Sequence, residues 1–486
     1  MNKKFLLCLL LISIKCDTNS YDYTNYAAVS KNTDLSEQTL SSTTSDQSVV
    51  YITESGKTIT NSNINKESGD SSNTENSEFY GINAAVLVNG GGLTITGGTI
   101  STSAKGANAL CTTNNGKVNI SGTKITSTAS SSARGLHATY GGEITASNVE
   151  ISSTGGSCAN LATDRGEGTV TCDECTLSTA GAGSPLIYST GNITVSKTTG
   201  TATKAQAVVV EGKNTATVKE SSNLNCYGLP NAENNIDICG VMLYQSMSGD
   251  ADSGTSTFNC QSSTITIDSQ SSVYDSAPMF FITNTDAMIN IDSCTFTYGS
   301  NIFLKAGGTS KWGSTGSNGG VVTLNLKNQN VVGNFVVDEY SGLTINLENS
   351  SIQGTINSEK TGAKVVINID ESSTITLTGN SYYTSINNGK SDGSNIIKGS
   401  YTFDSYEEKD IERPSGNGGS NPPSGGSGNP PEPPSGGSGN PPGSSNEGNP
   451  TKSSSGNSTE ESSTNEAKGN KDFIKMILGL MIVLVL

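Results

Sequence analysis

Eight cysteines lie beyond residue 16 of this 486-residue chain: Cys111, Cys158, Cys172, Cys175, Cys226, Cys239, Cys260 and Cys294. An even number of thiols behind an apolar leader points to disulfides. Cys172-Asp-Glu-Cys175 has the spacing of a redox or zinc motif. No second Cys-x-x-Cys follows, and the chain has a single histidine, His137. A local disulfide at Cys172 and Cys175, or a bridge between repeats, fits that pattern better than a metal. Cys226 and Cys239 flank an insertion and form the second candidate pair. Glycoside hydrolysis would need two carboxylates at a set separation. Asp292, Glu348 and Asp370 recur at one position of a repeat, but Lys327 interrupts them, so they read as solvated charge. Asp164-Arg165 falls at a corner, and His137 has no acidic neighbour in the sequence and reads as structural. No calcium repeat, phosphate loop or serine triad is present, so no cofactor and no catalytic residue is expected.

What positions these residues is a repeat. An apolar pair two apart, followed five positions later by a third apolar residue, recurs between residues 90 and 380. Leu93-Thr-Ile95…Ile100, Val118-Asn-Ile120…Ile125, Ile144-Thr-Ala146…Ile151 and Val170-Thr-Cys172…Leu177 start 25, 26 and 26 residues apart. Alternation predicts strands, because successive side chains point to opposite faces. A fixed period of this length predicts stacked units that cannot bury their apolar faces alone. A further apolar patch in each period, such as Leu136-His-Ala138 or Val208–Val210, predicts another strand, and glycines between them suit tight corners. The residue between the paired inward positions forms an outward column: Thr94, Asn119, Thr145, Thr171, Thr194, Thr217, Asn259, Asn290, Asn325, Asn346 and Asn368. Stacked amides of this kind hydrogen-bond along the axis, and a regular array of hydroxyls and amides suits glycans.

This pattern resembles the right-handed parallel β-helix over residues 50–400, an all-β solenoid of about twelve coils. It looks most like the autotransporter passengers and polymorphic surface proteins that present adhesins. Along the chain, residues 17–55 read as a polar N-terminal cap and 56–411 as the solenoid, and breaks in the period predict loops bulging near Leu229–Asp252, Asp275–Thr285 and Thr309–Gly320. Many β-helix proteins degrade polysaccharides, and Asn284-Thr-Asp286 resembles one element of polygalacturonases. The paired aspartates, Gly-His-Gly and Arg-x-Lys of that family are missing.

The ends carry sorting signals. Lys3, Lys4 and the apolar run Phe5–Ile14 predict a signal peptide over residues 1–16. Residues 412–470 are rich in Pro, Gly, Ser and Asn, cannot build a core, and read as a disordered, solvated stalk with a reach of about 40 Å. Residues 471–486 end on an apolar tail that spans only ~17 Å, short of a ~30 Å hydrocarbon core. A tail like this after small residues resembles a glycosylphosphatidylinositol attachment signal, with Asn465 and then Ser463 as candidate attachment residues. Sequons at Asn119, Asn192, Asn349 and Asn457 are candidate glycosylation sites. A net charge of −16 argues against nucleic acid. The sequence therefore reads as a cell-surface display protein, an adhesin or antigen bound to the membrane through a lipid anchor. It is expected to bind extracellular glycans or cell-surface proteins through one face or through loop aromatics, with Tyr227, Tyr244, Tyr274 and Trp312 first. The alternatives are a secreted or anchored polysaccharide lyase or glycosidase and a structural coat protein without a ligand.

Overall fold

The computed structural model describes residues 18–229, 238–246 and 250–411. Three short strands make a coil, and each pairs in parallel with the like strand of the next coil. The third coil shows the unit: Val86–Asn89 on a first face, Gly92–Thr96 on a second, Thr99–Thr102 on a third. The first face stacks twelve strands, from Ala28–Lys31 to Asn334–Val337, and the second stacks fourteen, from Leu35–Ser36 to Ser385–Asn388. The third stacks ten, from Thr39–Ser42 to Thr295–Thr297, followed by a four-stranded sheet from Asn330–Val332 to Ile396–Ile397. The described residues form a parallel β-helix of fourteen coils rather than about twelve. Thirteen intervals of ~4.8 Å make the stack about 62 Å long.

An additional coil comes from the segment expected to cap the solenoid. Ala28–Lys31, Leu35–Ser36 and Thr39–Ser42 form the first coil, and Ser48–Ile52 opens the second. A polar sequence suffices there because few side chains face inward, and Ser30, Leu35 and Ser42 fill those places. Residues 18–26 instead lie against the outer side of the first face. Tyr26 and Tyr51 meet edge to face at 5.0 Å, and the Tyr23 hydroxyl donates to the Tyr80 carbonyl at 2.7 Å.

The repeat positions land where alternation places them. On the second face Leu93, Val118, Ile144, Val170 and Ile193 are register partners and buried, as are Ile95, Ile120, Ala146, Cys172 and Val195. Each fully buried Ile, Leu or Val contributes ~1.5–3 kcal/mol, so a thin apolar line per coil is enough. First-face strands are buried on both sides: Leu136, His137 and Ala138 are all inaccessible. That is why they read as unbroken apolar runs rather than alternating ones. From the ninth coil the core becomes aromatic, with Phe258–Phe280, Phe280–Phe303 and Phe303–Phe335 ring centroids 5.7, 5.2 and 5.7 Å apart.

Glycine recurs at the corner between first and second faces, with positive φ at Gly90, Gly141, Gly166 and Gly212, but it is not the general residue at the next corner. Between second and third faces most coils turn on a residue with positive φ, which is glycine at Gly97 and Gly122 but a larger residue in others, among them Asn61, Asn148, Glu174, Lys197, Ser262, Asn328 and Asn349. Asn reaches this region at little cost, and the surrounding ladder holds the others there. The next residue is often a buried hydroxyl that serves the neighbouring coil. Thr198 N donates to Ser222 Oγ at 3.1 Å, Gln329 N to Ser350 Oγ at 3.0 Å and Ser350 N to Ser373 Oγ at 2.9 Å. These bonds satisfy corner amides that the strand ladder cannot reach.

Candidate functional site

Two surfaces and one buried cluster are candidates. On the second face the outward column runs through the register as Thr94, Asn119, Thr145, Thr171, Thr194, Thr217, Asn259, Asn290, Asn325, Asn346 and Asn368, and extends to Asn387. From Asn259 onward the amides form a one-way ladder. Asn387 Nδ2 donates to Asn368 Oδ1 at 2.7 Å, Asn368 to Asn346 at 2.6 Å, Asn346 to Asn325 at 2.7 Å, Asn325 to Asn290 at 2.7 Å and Asn290 to Asn259 at 2.8 Å. Asn259 closes the series on Thr217 Oγ1 at 3.1 Å. In-register stacking at strand spacing makes this geometry repeat.

Beside the ladder lies the charged column. Lys327 separates Asp292 from Glu348 and pairs with Glu348 at 3.0 Å. Partial burial pushes the Asp370 carboxyl up, but hydrogen bonds from Ser373, Ser372 and the Asn349 amide outweigh it and hold it down at about 2. Hydrogen bonds from Asn328 and Ser293 likewise lower Asp292. Both columns line an open trough of about 500 Å³ between Thr217 and Glu348. Another of about 630 Å³ is bordered by Asn368, Asp370 and Asn387.

The third face carries two outward columns of hydroxyls and amides. Thr199 and Thr201 register with Asn223 and Asn225, and these with Thr264 and Thr266. Thr176, Thr199, Thr201, Asn223, Asn225, Thr266, Asp268 and Thr297 line a trough of about 500 Å³, where Asn225 Nδ2 donates to Asp268 Oδ2 at 2.7 Å. Gly200 occupies an inward place that is Leu or Ile in neighbouring coils, and a Cβ there would stand 2.7 Å from Leu186 Cδ1, which fills the space.

The loop aromatics expected to bind a ligand lie elsewhere. Tyr244 is buried, its ring 4.9 Å from Trp312 and its hydroxyl donating to Glu211 Oε2 at 2.7 Å. Trp312 is half-buried over the same small apolar cluster, and Tyr274 packs on the main core. Tyr227 is half-buried, and its carbonyl accepts from Ser271 Oγ at 2.6 Å. None of the four lines a trough described above. Tyr244 belongs to the first-face strand Val241–Tyr244 rather than to a loop, and Trp312 packs on the apolar cluster on the outer side of that face.

Among the sequons, Asn119 and Asn192 are exposed on the second face. Asn349 is exposed at a corner and gives its Nδ2 to Asn328 Oδ1 at 2.8 Å. Asn457, Asn465 and Ser463 lie outside the described residues, as do the leader, stalk and tail. Cys172 and Cys175 come together at one corner, with sulfurs 2.6 Å apart. Cys226 does not bridge to Cys239: its thiol is free, 3.9 Å from the Gly240 carbonyl. A disulfide joins Cys260 to Cys294 instead. Cys260 shares the inward column of Cys172, and Cys294 takes the corner place of Cys175 one coil on, so column position was the signal that sequence spacing concealed.

The largest departure from expectation is on the outer side of the first face. His137 does have an acidic neighbour: Asp164 Oδ2 lies 3.9 Å from its Nε2, and Arg134 Nη2 reaches the same oxygen at 3.3 Å. Glu78 stands 3.5 Å from Arg134 Nη1. Burial pushes the Asp164 carboxyl up to about 8 despite Arg134, and burial together with the arginine depresses His137 well below its usual value. Two coils on, Glu211 is inaccessible and accepts from the hydroxyls of Tyr188 and Tyr244, and burial raises its pKa. Among the described residues no group of three or more His, Cys, Asp or Glu side chains is placed to hold a metal ion. No family model, no curated protein and no solved structure matches the chain.

Proposed function

We propose that this protein is a non-enzymatic display protein of the cell surface, which binds extracellular glycans or cell-surface proteins through the outer sides of its second and third faces. The observation that carries this reading is the amide ladder with its flanking troughs. Within the ladder each interior amide uses one N–H and one lone pair on its neighbours, leaving the other N–H and lone pair for a ligand at every coil. An array of donors and acceptors at strand spacing complements the hydroxyls of a saccharide chain through many weak bonds in series. Asp268 and Asn225 add a fixed carboxylate–amide pair on the third face. The leader, stalk and tail read from residues 1–16, 412–470 and 471–486 support presentation from a lipid anchor.

Surface labelling of intact cells with an antibody to residues 80–400, before and after phosphatidylinositol-specific phospholipase C, tests the display half. Loss of label on treatment supports it, and absence of label on intact cells refutes it. A glycan array probed with the wild-type protein, Asn325→Asp and Asp268→Asn tests the binding half, since a ligand on these faces must be weakened by one of the two substitutions.

A second reading, cleavage of polysaccharides, is favoured by a different observation. Asp164 and Glu211 fall at one register position of the first face, two coils and so ~10 Å apart, and both carboxyls are raised by burial. Reducing-sugar release that Glu211→Gln abolishes would replace the display reading with this one.

A further inference from the structure

We infer that Cys111 is a masked nucleophile, a thiol set against His137 and Asp164 on the outer side of the first face and sealed by the chain's own N-terminal segment. Cys111 and His137 are register partners on adjacent coils, so the ladder itself holds them side by side. Cys111 Sγ lies 3.7 Å from His137 Nδ1, and the opposite ring nitrogen faces Asp164 Oδ2 at 3.9 Å.

The neighbours fix which nitrogen carries the proton. Asn108 Oδ1 accepts from Arg134 N at 2.8 Å, which orients the amide, so Asn108 Nδ2 donates to His137 Nδ1 at 3.1 Å. Nδ1 therefore carries the lone pair, which the Asn108 N–H at 3.1 Å and the thiol at 3.7 Å share, and Nε2–H points at the carboxyl. That order, thiol to basic nitrogen and N–H to carboxyl, is what an activated cysteine requires. His137 Nε2 is buried and makes no hydrogen bond, an arrangement that costs stability and that packing alone would not select.

The closed structure keeps the thiol silent. Gly81, the left-handed residue that ends the helix Thr74–Tyr80, presses on the sulfur: a Cβ there would sit 2.5 Å from Cys111 Sγ. Tyr23 holds Tyr80 from above, and Asn19 Nδ2 donates to Thr113 Oγ1 at 3.0 Å. Around the imidazole stand Arg134, Glu78 and Asp164, with Tyr188 and Asp250 contributing from further off. Burial raises the thiol and depresses the imidazole, so the neutral pair persists while the cover is closed. When residues 18–26 lift, water lowers Asp164, Asn108 Nδ2 gives up Nδ1, the thiol proton passes to Nδ1, and the imidazolium is held by the carboxylate. The thiolate then attacks an electrophilic carbon: the carbon–sulfur bond forms, and the leaving group departs with the electron pair of the broken bond.

The probe is iodoacetamide on the full chain, with alkylation read at each cysteine by peptide mass spectrometry. Cys226 and Cys158, both buried thiols, report any general unfolding. Cys111 should be protected in the wild type and selectively alkylated in Tyr23→Ala/Tyr26→Ala. At pH 7 it should react about tenfold faster there than with His137→Asn added, because an ordinary thiol near pKa 8.5 is only a few per cent ionised. His137→Asn should also move the pH midpoint of alkylation upward. Rates that His137→Asn leaves unchanged would overturn the proposal. So would a Cys111 that stays inert although hydrogen exchange shows residues 18–26 open. If Cys226 reacts alongside Cys111, Gly81→Ala replaces the tyrosine variant, and the same two rates decide.

Discussion

Replacing Asn325 by Asp breaks the amide ladder at its centre, and the ladder's one-way polarity sets the cost. Asn325 Nδ2 donates to Asn290 Oδ1 at 2.7 Å, and its Oδ1 accepts from Asn346 Nδ2 at 2.7 Å. Aspartate keeps the second bond but turns the first into an anionic oxygen facing a carbonyl oxygen. A lost hydrogen bond of ~1 kcal/mol and a half-buried acceptor left without a donor together cost about 2–3 kcal/mol. The same change at Asn259 should cost less than ~1 kcal/mol, because its partner is Thr217 Oγ1, a hydroxyl that rotates and donates to the new carboxylate. Solenoid stability is a sum of local and nearest-neighbour terms, so the readout must be local. Native-state hydrogen exchange in Val321–Lys327 and Gly342–Glu348 should quicken roughly 30- to 150-fold in Asn325→Asp. Asn259→Asp should quicken exchange in Thr255–Gln261 by no more than about fivefold. Equal acceleration in the two variants would refute the directional ladder.

Phe303→Ala removes a ring that touches Phe280, Phe296 and Phe335 and is almost wholly buried; it should cost ~3–5 kcal/mol, seen as a lower urea midpoint. Cys294→Ala opens a loop closed over a separation of 34 residues and should cost at most ~3.8 kcal/mol on chain entropy, measured against the wild type under non-reducing conditions. Stability should also follow pH through the buried cluster. Asp164, raised to about 8, contributes stability that is complete below ~4 and lost as pH rises through 8, and Glu211 acts in the same direction. His137, held neutral, contributes stability that is present above ~6.5 and lost as pH falls. The melting midpoint should therefore rise from pH 9 to 6.5 and change little just below it, and Asp164→Asn should flatten the alkaline limb.

The sequence by itself determined the architecture. Alternation in Leu93-Thr-Ile95 and its copies sets which side chains face the core, and the 25–26-residue period sets the register, so the outward column from Thr94 to Asn368 could be written down before any strand was placed. Local chemistry suffices there because each side chain's direction follows from its place in a strand. The first coil within residues 28–42 was harder to read, since an end coil needs few apolar residues and Ser30 and Ser42 serve as well as valine. What only the tertiary structure decided is what lies across coils and under the cover. Asp164 reaches His137 from the next turn of the solenoid, Cys260 finds Cys294 rather than a nearer thiol, and Tyr244 turns inward to Glu211. Those partners are 27, 34 and 33 residues apart; column position brings the two cysteines to one corner, but the repeat does not say which residues of neighbouring coils pair. The two first-face contacts depend on how residues 18–26 and the loops close over that face, and that closure is set by burial of an apolar surface, a force without direction in the sequence.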